Sequence, residues 1–201
     1  MLVVDPPKKK KKIKLPSYVV YEVLQGHALP YKGYKDVLNE KINPESIMGS
    51  SGIQALLVYA IGLFLGNNIN RKKYFIVTNE AGLHIDKGNN LALDIAVFDK
   101  KNTQLVDTYI QSPPEIVIEL DIKADLDEAP FSKEELYIVE KSKKLLEFGT
   151  KKVIWVTTLS KKIYVATKDD WRIFDFDHDI HVIDDCVLNL EKLMMEEEIT
   201  I

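Results

Sequence analysis

The segment Glu115-Ile-Val-Ile-Glu-Leu-Asp-Ile-Lys123 decides the fold of this chain, because its alternation is that of a β-strand. Successive side chains of an extended strand point to opposite faces of a sheet. The isoleucines and the leucine would share one face, and Glu119, Asp121 and Lys123 would share the other with Val117. Charge on a core strand is costly unless it is paired or binds a metal. The segment therefore predicts a sheet that carries an ionic or metal-binding site.

A second strand-like run, Leu91–Phe98, carries a further carboxylate at Asp94. Carboxylate oxygens are the ligands that magnesium prefers in proteins. Asp94, together with the carboxylates of the first segment, predicts a divalent-metal site on a small sheet. A nuclease is the first hypothesis that such a site suggests.

A helix and another strand follow the first segment along the chain. The helix is predicted over 133–148, with Ser132 opening a capping box and Gly149 closing the helix as its C-cap. The strand is predicted over 152–157. A connection of this length suits a right-handed crossover between parallel strands. The order of elements predicts an α/β fold, a mixed β-sheet flanked by helices.

The remaining elements are predicted from periodicity and turn residues. Upstream of Asp94 we expect a short helix over 17–22 that begins at Ser17, a turn-rich link over 26–33 and an edge strand over 34–42. We then expect a helix over 52–66, capped by Ser50 or Ser51, and two short strands over 74–78 and 81–85. Downstream we expect a hairpin of two strands over 162–167 and 172–176, and a last short helix over 188–198.

Composition indicates one globular domain. The chain has 201 residues, of which 46% are hydrophobic and 29% charged, and this fits a single domain over 17–201 behind a flexible basic arm over 1–16. No apolar run reaches the roughly 20 residues of a membrane span, and no secretory signal is expected. The single cysteine, Cys186, excludes an intramolecular disulfide and a cysteine-based zinc site. We expect a cytoplasmic protein.

The net charge of −4 argues against a protein that coats nucleic acid non-specifically. Positive charge is nevertheless clustered, first at Lys8–Lys12. Clustered lysines can contact phosphates, although a run of this kind is more often a solvated arm. A second cluster comprises Lys141, Lys143, Lys144, Lys151 and Lys152.

Four motifs carry a resemblance to a known family. They are Asp94-x-Ala-Val-Phe98, Pro114-Glu-Ile-Val-Ile-Glu119, a lysine-bearing helix that ends Leu145-Leu-Glu-Phe-Gly149, and Val153-Ile-Trp-Val156. In this order and spacing the chain resembles the Uma-type proteins, a bacterial family of the PD-(D/E)XK restriction-endonuclease-like superfamily. The match covers about residues 91–157 and extends more loosely toward the N-terminus.

The resemblance implies a restriction-endonuclease-like fold and a catalytic site. Asp94 and Glu119 are then the ligands of Mg²⁺, with Mn²⁺ as an alternative ion, and Lys141 assists the attacking water. Lys123 is the alternative lysine if Asp121-x-Lys123 acts as the catalytic element, in which case Asp121 is a further ligand. The expected reaction is hydrolysis of DNA phosphodiester bonds by a homodimer, with one site for each strand.

Departures from the family pattern keep other interpretations open. Leu93 stands where the family has proline, and the family's histidine near the first long helix is absent. These departures favour a catalytically inactive nuclease fold that serves as a DNA- or partner-binding module. A structural protein that dimerises through a sheet edge is the second alternative. The resemblance also offers the Leu120 carbonyl as a third ligand and Glu22, on an early helix, as a weaker candidate.

Overall fold

A computed structural model of the chain describes residues 15–201, so the Lys8–Lys12 run and nearly all of the predicted basic arm lie outside the described residues. An eight-stranded sheet dominates the described part, and most of its neighbouring strands are antiparallel. Helices pack on both faces of this sheet. The predicted mixed α/β sheet flanked by helices is confirmed.

Sixteen elements follow one another along residues 15–201. They are a 3₁₀ turn Ser17–Val19, β1 Val20–Leu24, β2 His27–Pro30, α1 Tyr34–Leu38, α2 Glu45–Met48, α3 Gly52–Asn68, β3 Tyr74–Asp86, β4 Asn89–Asp99, β5 Ile116–Leu120, α4 Glu134–Phe148, β6 Lys152–Thr157, β7 Lys162–Ala166, β8 Trp171–Asp175, β9 Asp179–Ile183, β10 Cys186–Asn189 and α5 Leu190–Glu196.

The sheet is continuous from β2 through β1, β4, β5, β6 and β7 to β8, with β3 also paired to β4. The predicted crossover is present, because β5 and β6 run parallel and α4 connects them. Apolar residues of α3 fill one face of the sheet, and those of α4 fill the other. The sheet therefore separates two hydrophobic cores, one on each of its faces.

Both long helices occur where periodicity predicts them. Ser51 caps α3, since its side-chain oxygen accepts a hydrogen bond from the backbone N–H of Gln54 at 3.2 Å. Gly149 ends α4 with φ +125°, a backbone angle that favours glycine. The capping box predicted at Ser132 is wrong, because the helix begins one residue later and its N-cap, Lys133, makes no side-chain capping bond.

The predicted helix over 17–22 and the link over 26–33 are also wrong, because residues 20–30 form the hairpin β1–β2. Its two-residue turn, Gln25-Gly26, has φ of 51° and 74°. Positive φ at both central residues matches the right-handed twist of the flanking strands. Ser17 lies within the 3₁₀ turn and caps no helix. Glu22 is therefore a strand residue rather than a helical one.

The predicted edge strand over 34–42 is a short helix, α1, that begins after Gly33. Tyr34 and Val37 lie three residues apart, so in a helix they share one face, and they pack together against Val19. A small third cluster of buried apolar side chains thus selects the helical periodicity over the extended one.

The C-terminal part confirms the β7–β8 hairpin and the last short helix, and adds the two-stranded sheet of β9 and β10. Ile180, Val182, Leu188 and Leu193 pack into the core on the α3 face. Among residues 15–201, no helix is long and apolar enough to cross a membrane.

Candidate active site

The sheet forks along one edge of β4. Strand β3 pairs with β4 along its whole length, from Tyr74 opposite Asp99 to Asp86 opposite Asn89. The other edge of β4 is therefore divided: β1 pairs with it at Asn90, and β5 pairs with it only from Ile95 onward. Between Asn90 and Ile95, β1 and β5 diverge and leave a gap in the ladder, which we call the fork. Buried backbone groups in such a gap need other partners.

On β4, the backbone of Ala92 finds its partners in two charged side chains. Its N–H donates to Glu22 Oε2 at 3.3 Å, and its carbonyl accepts from Lys141 Nζ at 2.9 Å. Glu22 projects from β1 and Lys141 from α4. These side chains therefore replace a missing strand neighbour on the α4 side of the fork.

On β5, the backbone of Leu120 is satisfied in the same way. Its N–H donates to Asp94 Oδ2 at 2.8 Å, and its carbonyl accepts from Gln54 Nε2 at 2.6 Å. Gln54 Nε2 also lies 3.3 Å from Asp94 Oδ2. Gln54 therefore connects the first turn of α3 to the fork, from the face of the sheet opposite α4.

Lys141 is the centre of a buried ionic cluster. Its ammonium lies 3.0 Å from Glu22 Oε2 and 3.2 Å from Glu119 Oε1, and all three side chains are at least 98% buried. The Tyr137 hydroxyl donates to Glu22 Oε1 at 2.5 Å. The ammonium also lies 5.6 Å from the Trp155 ring centroid, a distance suited to a cation–π contact.

Burial and charge perturb the titration of this cluster. Burial raises the pKa of Glu119 to about 8; the Lys141 ammonium opposes this rise, while the nearby Asp94 and Glu22 carboxylates add to it. Burial lowers the pKa of Lys141, but Glu119 and Glu22 more than offset that effect, so its pKa is raised above the usual value. Lys141 therefore remains an ammonium while Glu119 titrates near neutral pH.

We predict that Glu119→Gln removes a pH-dependent loss of stability. With a pKa of about 8 in the folded protein against 4.5 ordinarily, Glu119 keeps a proton that the unfolded chain releases. The corresponding stability is fully present below about pH 4.5 and is lost as the pH rises to about 8. Urea unfolding across this range should show a decline in the parent and a smaller one in Glu119→Gln.

Glu115→Gln is the matched control, because Glu115 precedes the same strand and pairs with the exposed Lys151. This variant should keep the pH dependence of the parent protein. An unchanged pH dependence in Glu119→Gln would contradict the prediction.

An open groove leads to the fork between α3 and β3. It has a volume of about 490 Å³, and Asp94 and Lys123 lie among its lining residues. Lys123 donates to Ser50 Oγ at 2.8 Å and to Asp94 Oδ1 at 3.3 Å, and it also pairs with Glu80. Asp94 is thus the carboxylate shared by the groove and the buried cluster, whereas Lys141 is fully buried.

Three predicted residues, Asp94, Glu119 and Lys141, come together at the fork, and Lys123 reaches it from the groove. The prediction that Asp121 and Lys123 share a strand face with Glu119 is wrong. Strand β5 ends at Leu120, and Asp121 has φ +53°, so alternation stops there.

Asp121 also bonds away from the cluster. Its two carboxylate oxygens accept hydrogen bonds from the N–H and the hydroxyl of Thr158, both at 2.7 Å. Asp121 therefore links the end of β5 by hydrogen bonds to Thr158, the residue that follows β6.

Two residues of the site were not identified from the sequence. Gln54 is a polar residue in the first turn of a largely apolar helix, which was its signal in the sequence, and the structure buries it. Glu80 pairs with Lys123 because β3 bulges at Asn79 and Glu80, between the two strands predicted there. No local pattern in the sequence marks that bulge.

The donors at the fork fit a hard divalent ion. Asp94 and Glu119 offer carboxylate oxygens, and Glu119 Oε1 is a buried acceptor without a hydrogen bond among the described residues, although Lys141 lies close by. Over residues 15–201 no three histidine, cysteine or acidic side chains form a ready metal cluster. Magnesium commonly binds one or two carboxylates and completes its shell with water and phosphate oxygens. The Leu120 carbonyl already accepts from Gln54.

No protein-family model and no curated protein matches this chain. Among solved structures, the chain is similar to a protein from Anabaena variabilis described as "a putative nuclease belonging to DUF820". The TM-score is 0.62 and the sequence identity is 14%, over 90% of this chain and 93% of that one. At this identity the likeness shows that the two proteins share a fold.

Proposed function

We propose that this protein is a metal-dependent nuclease that hydrolyses phosphodiester bonds in DNA. The observation that carries the proposal is the convergence of Asp94, Glu119 and Lys141 at the sheet fork, where the buried Asp94 lines the inner end of a groove. The resemblance to PD-(D/E)XK proteins assigns catalysis to the same residues. The fold shared with a protein described as "a putative nuclease" supports this activity.

In this proposal Asp94 and Glu119 hold Mg²⁺ or Mn²⁺. Such an ion, when bound, lowers the pKa of a coordinated water and stabilises the charge that develops on phosphate. Lys123 lines the groove, and its ammonium would contact a phosphate in exchange for its present pairs with Glu80 and Asp94. Lys141 is fully buried, and its position supports a role in holding Glu119 rather than direct contact with the attacking water.

DNA contact depends on the groove more than on the second lysine cluster. All five lysines in that cluster are engaged by nearby acceptors. Lys141 is buried against Glu22 and Glu119, and the other four make these contacts: Lys143 with Glu140 at 3.4 Å, Lys144 with Asp86 at 2.9 Å, Lys151 with Glu115, and Lys152 with the carbonyl of His181 at 2.6 Å. These ammonium groups would have to leave their partners before they could neutralise phosphates.

Metal binding and cleavage test the proposal together. Calorimetry with Mg²⁺ and Mn²⁺ should detect binding to the parent protein and none to Asp94→Ala or Glu119→Ala. Cleavage of labelled DNA should require the metal. A parent protein that binds neither ion and cuts no DNA would refute the proposal and leave a nuclease fold that binds without turnover.

A further inference from the structure

The groove has one apolar wall and one polar floor. Tyr59 and Leu63 of α3 line the wall and are 61% and 42% exposed. Ile76 of β3 lines the same space. From Gly52 to Asn68, α3 carries no charged residue. An exposed tyrosine beside aliphatic side chains presents a flat, amphipathic surface of the kind on which nucleobases stack.

The floor of the groove carries little positive charge. Lys123 is the one ammonium among the described residues that line it, and both Asp94 and Glu80 pair with this ammonium. Duplex binding normally depends on several lysines or arginines that neutralise successive phosphates. The charge of the groove therefore favours a ligand held by stacking over a tract of duplex held by its backbone.

Strand β3 is deformed where it borders the groove. Asn79 and Glu80 have φ of 68° and 55°, so two successive residues adopt the left-handed conformation. Asparagine tolerates this conformation better than glutamate does. Backbone strain of this kind concentrates at ligand sites. Here the strained bulge contains Glu80, which pairs with the groove's lysine.

We propose that the groove receives one unpaired nucleotide of a single-stranded nucleic acid. Its base stacks on Tyr59 and contacts Leu63, and its phosphate contacts the Lys123 ammonium at the floor. The groove volume of about 490 Å³ lies within the usual range of sites for small ligands. This inference rests on the proposed nuclease function, for which it names the substrate class.

Fluorescence anisotropy with short labelled oligothymidylate tests the inference, with EDTA present to prevent cleavage and a hairpin duplex as the competing probe. The parent should bind the single strand more tightly than the duplex. Tyr59→Leu should weaken single-strand binding by about 5- to 150-fold, the range that loss of one stacked base gives. Tyr59→Phe keeps the ring and should retain binding. Tyr18→Leu alters a half-exposed tyrosine outside the groove and should match the parent.

Three results from binding and light scattering would overturn the inference: preference for duplex, equal single-strand binding by Tyr59→Leu and the parent, or a dimer that Tyr59→Glu dissociates. The last result would show that a second copy covers the groove wall. Duplex cleavage without dependence on Tyr59 would refute this inference and leave the nuclease proposal standing. Tyr59-dependent single-strand binding without metal-dependent cleavage would support this inference and refute the nuclease proposal.

Discussion

Lys141→Met should lower the free energy of unfolding by about 3–5 kcal/mol, because it leaves buried charges without their partner. The methionine fills a similar volume but cannot bond to Glu22, Glu119 or the Ala92 carbonyl, all of which contact the lysine ammonium. For a chain of this size the melting temperature should fall by roughly 6–20 °C. Urea unfolding followed by circular dichroism measures the change.

Lys143→Met is the matched control on the same helix. Its ammonium is exposed and lies 3.4 Å from Glu140, also on the surface of α4. Exposed pairs of this kind contribute about 0–1 kcal/mol, so this variant should remain close to the parent. Equal stabilities of the two variants would show that the buried cluster contributes no more than a surface pair.

Asp94→Asn should reduce metal-dependent DNA cleavage by at least about 100-fold, since changes beside a metal site already cost roughly 10–100-fold and Asp94 is a proposed ligand. The amide oxygen can still accept from the Leu120 N–H, so the fork should keep its backbone bond. The side chain loses the negative charge that faces Lys123 and that, in the proposed site, would bind the divalent ion. Initial rates on a labelled substrate at saturating Mn²⁺ measure the effect.

Asp99→Asn controls for the same chemical change on the same strand. Asp99 ends β4, far along the strand from the fork, and accepts from the Lys101 N–H in a turn. This variant should cleave at the parental rate. Activity of Asp94→Asn within a few-fold of the parent would remove Asp94 from the proposed metal site, and unfolding measurements on both variants separate lost chemistry from lost fold.

The fold could be predicted where local periodicity and core packing agree. Helix α3, helix α4 and the parallel strands around α4 each have a clear repeat and a defined end, such as Ser51 or Gly149. Prediction failed where a short segment takes its conformation from distant partners. Residues 34–42 are ambiguous alone, and the apolar contact with Val19 makes their first part helical.

The candidate site was predictable only as a set of residue types. Asp94, Glu119 and Lys141 could be singled out from motifs, but the fork that brings them together depends on the divergence of β1 from β5. Alternation was extended past Leu120, through Asp121 to Lys123, because a single left-handed residue that ends a strand leaves no trace in hydrophobicity. Glu22 was placed on the wrong type of element, although it contacts Lys141 directly.

The fork also bears on how this protein could change over evolutionary time. Glu22 and Lys141 complete the backbone bonding of Ala92, so folding alone would retain them in a lineage that had lost cleavage. Selection on the proposed reaction would instead act on Lys123, whose contacts lie at the groove. Among descendants of this chain, we therefore expect drift at Lys123 to accompany loss of the proposed activity, whereas retention of Glu22 and Lys141 would reflect the need to fold.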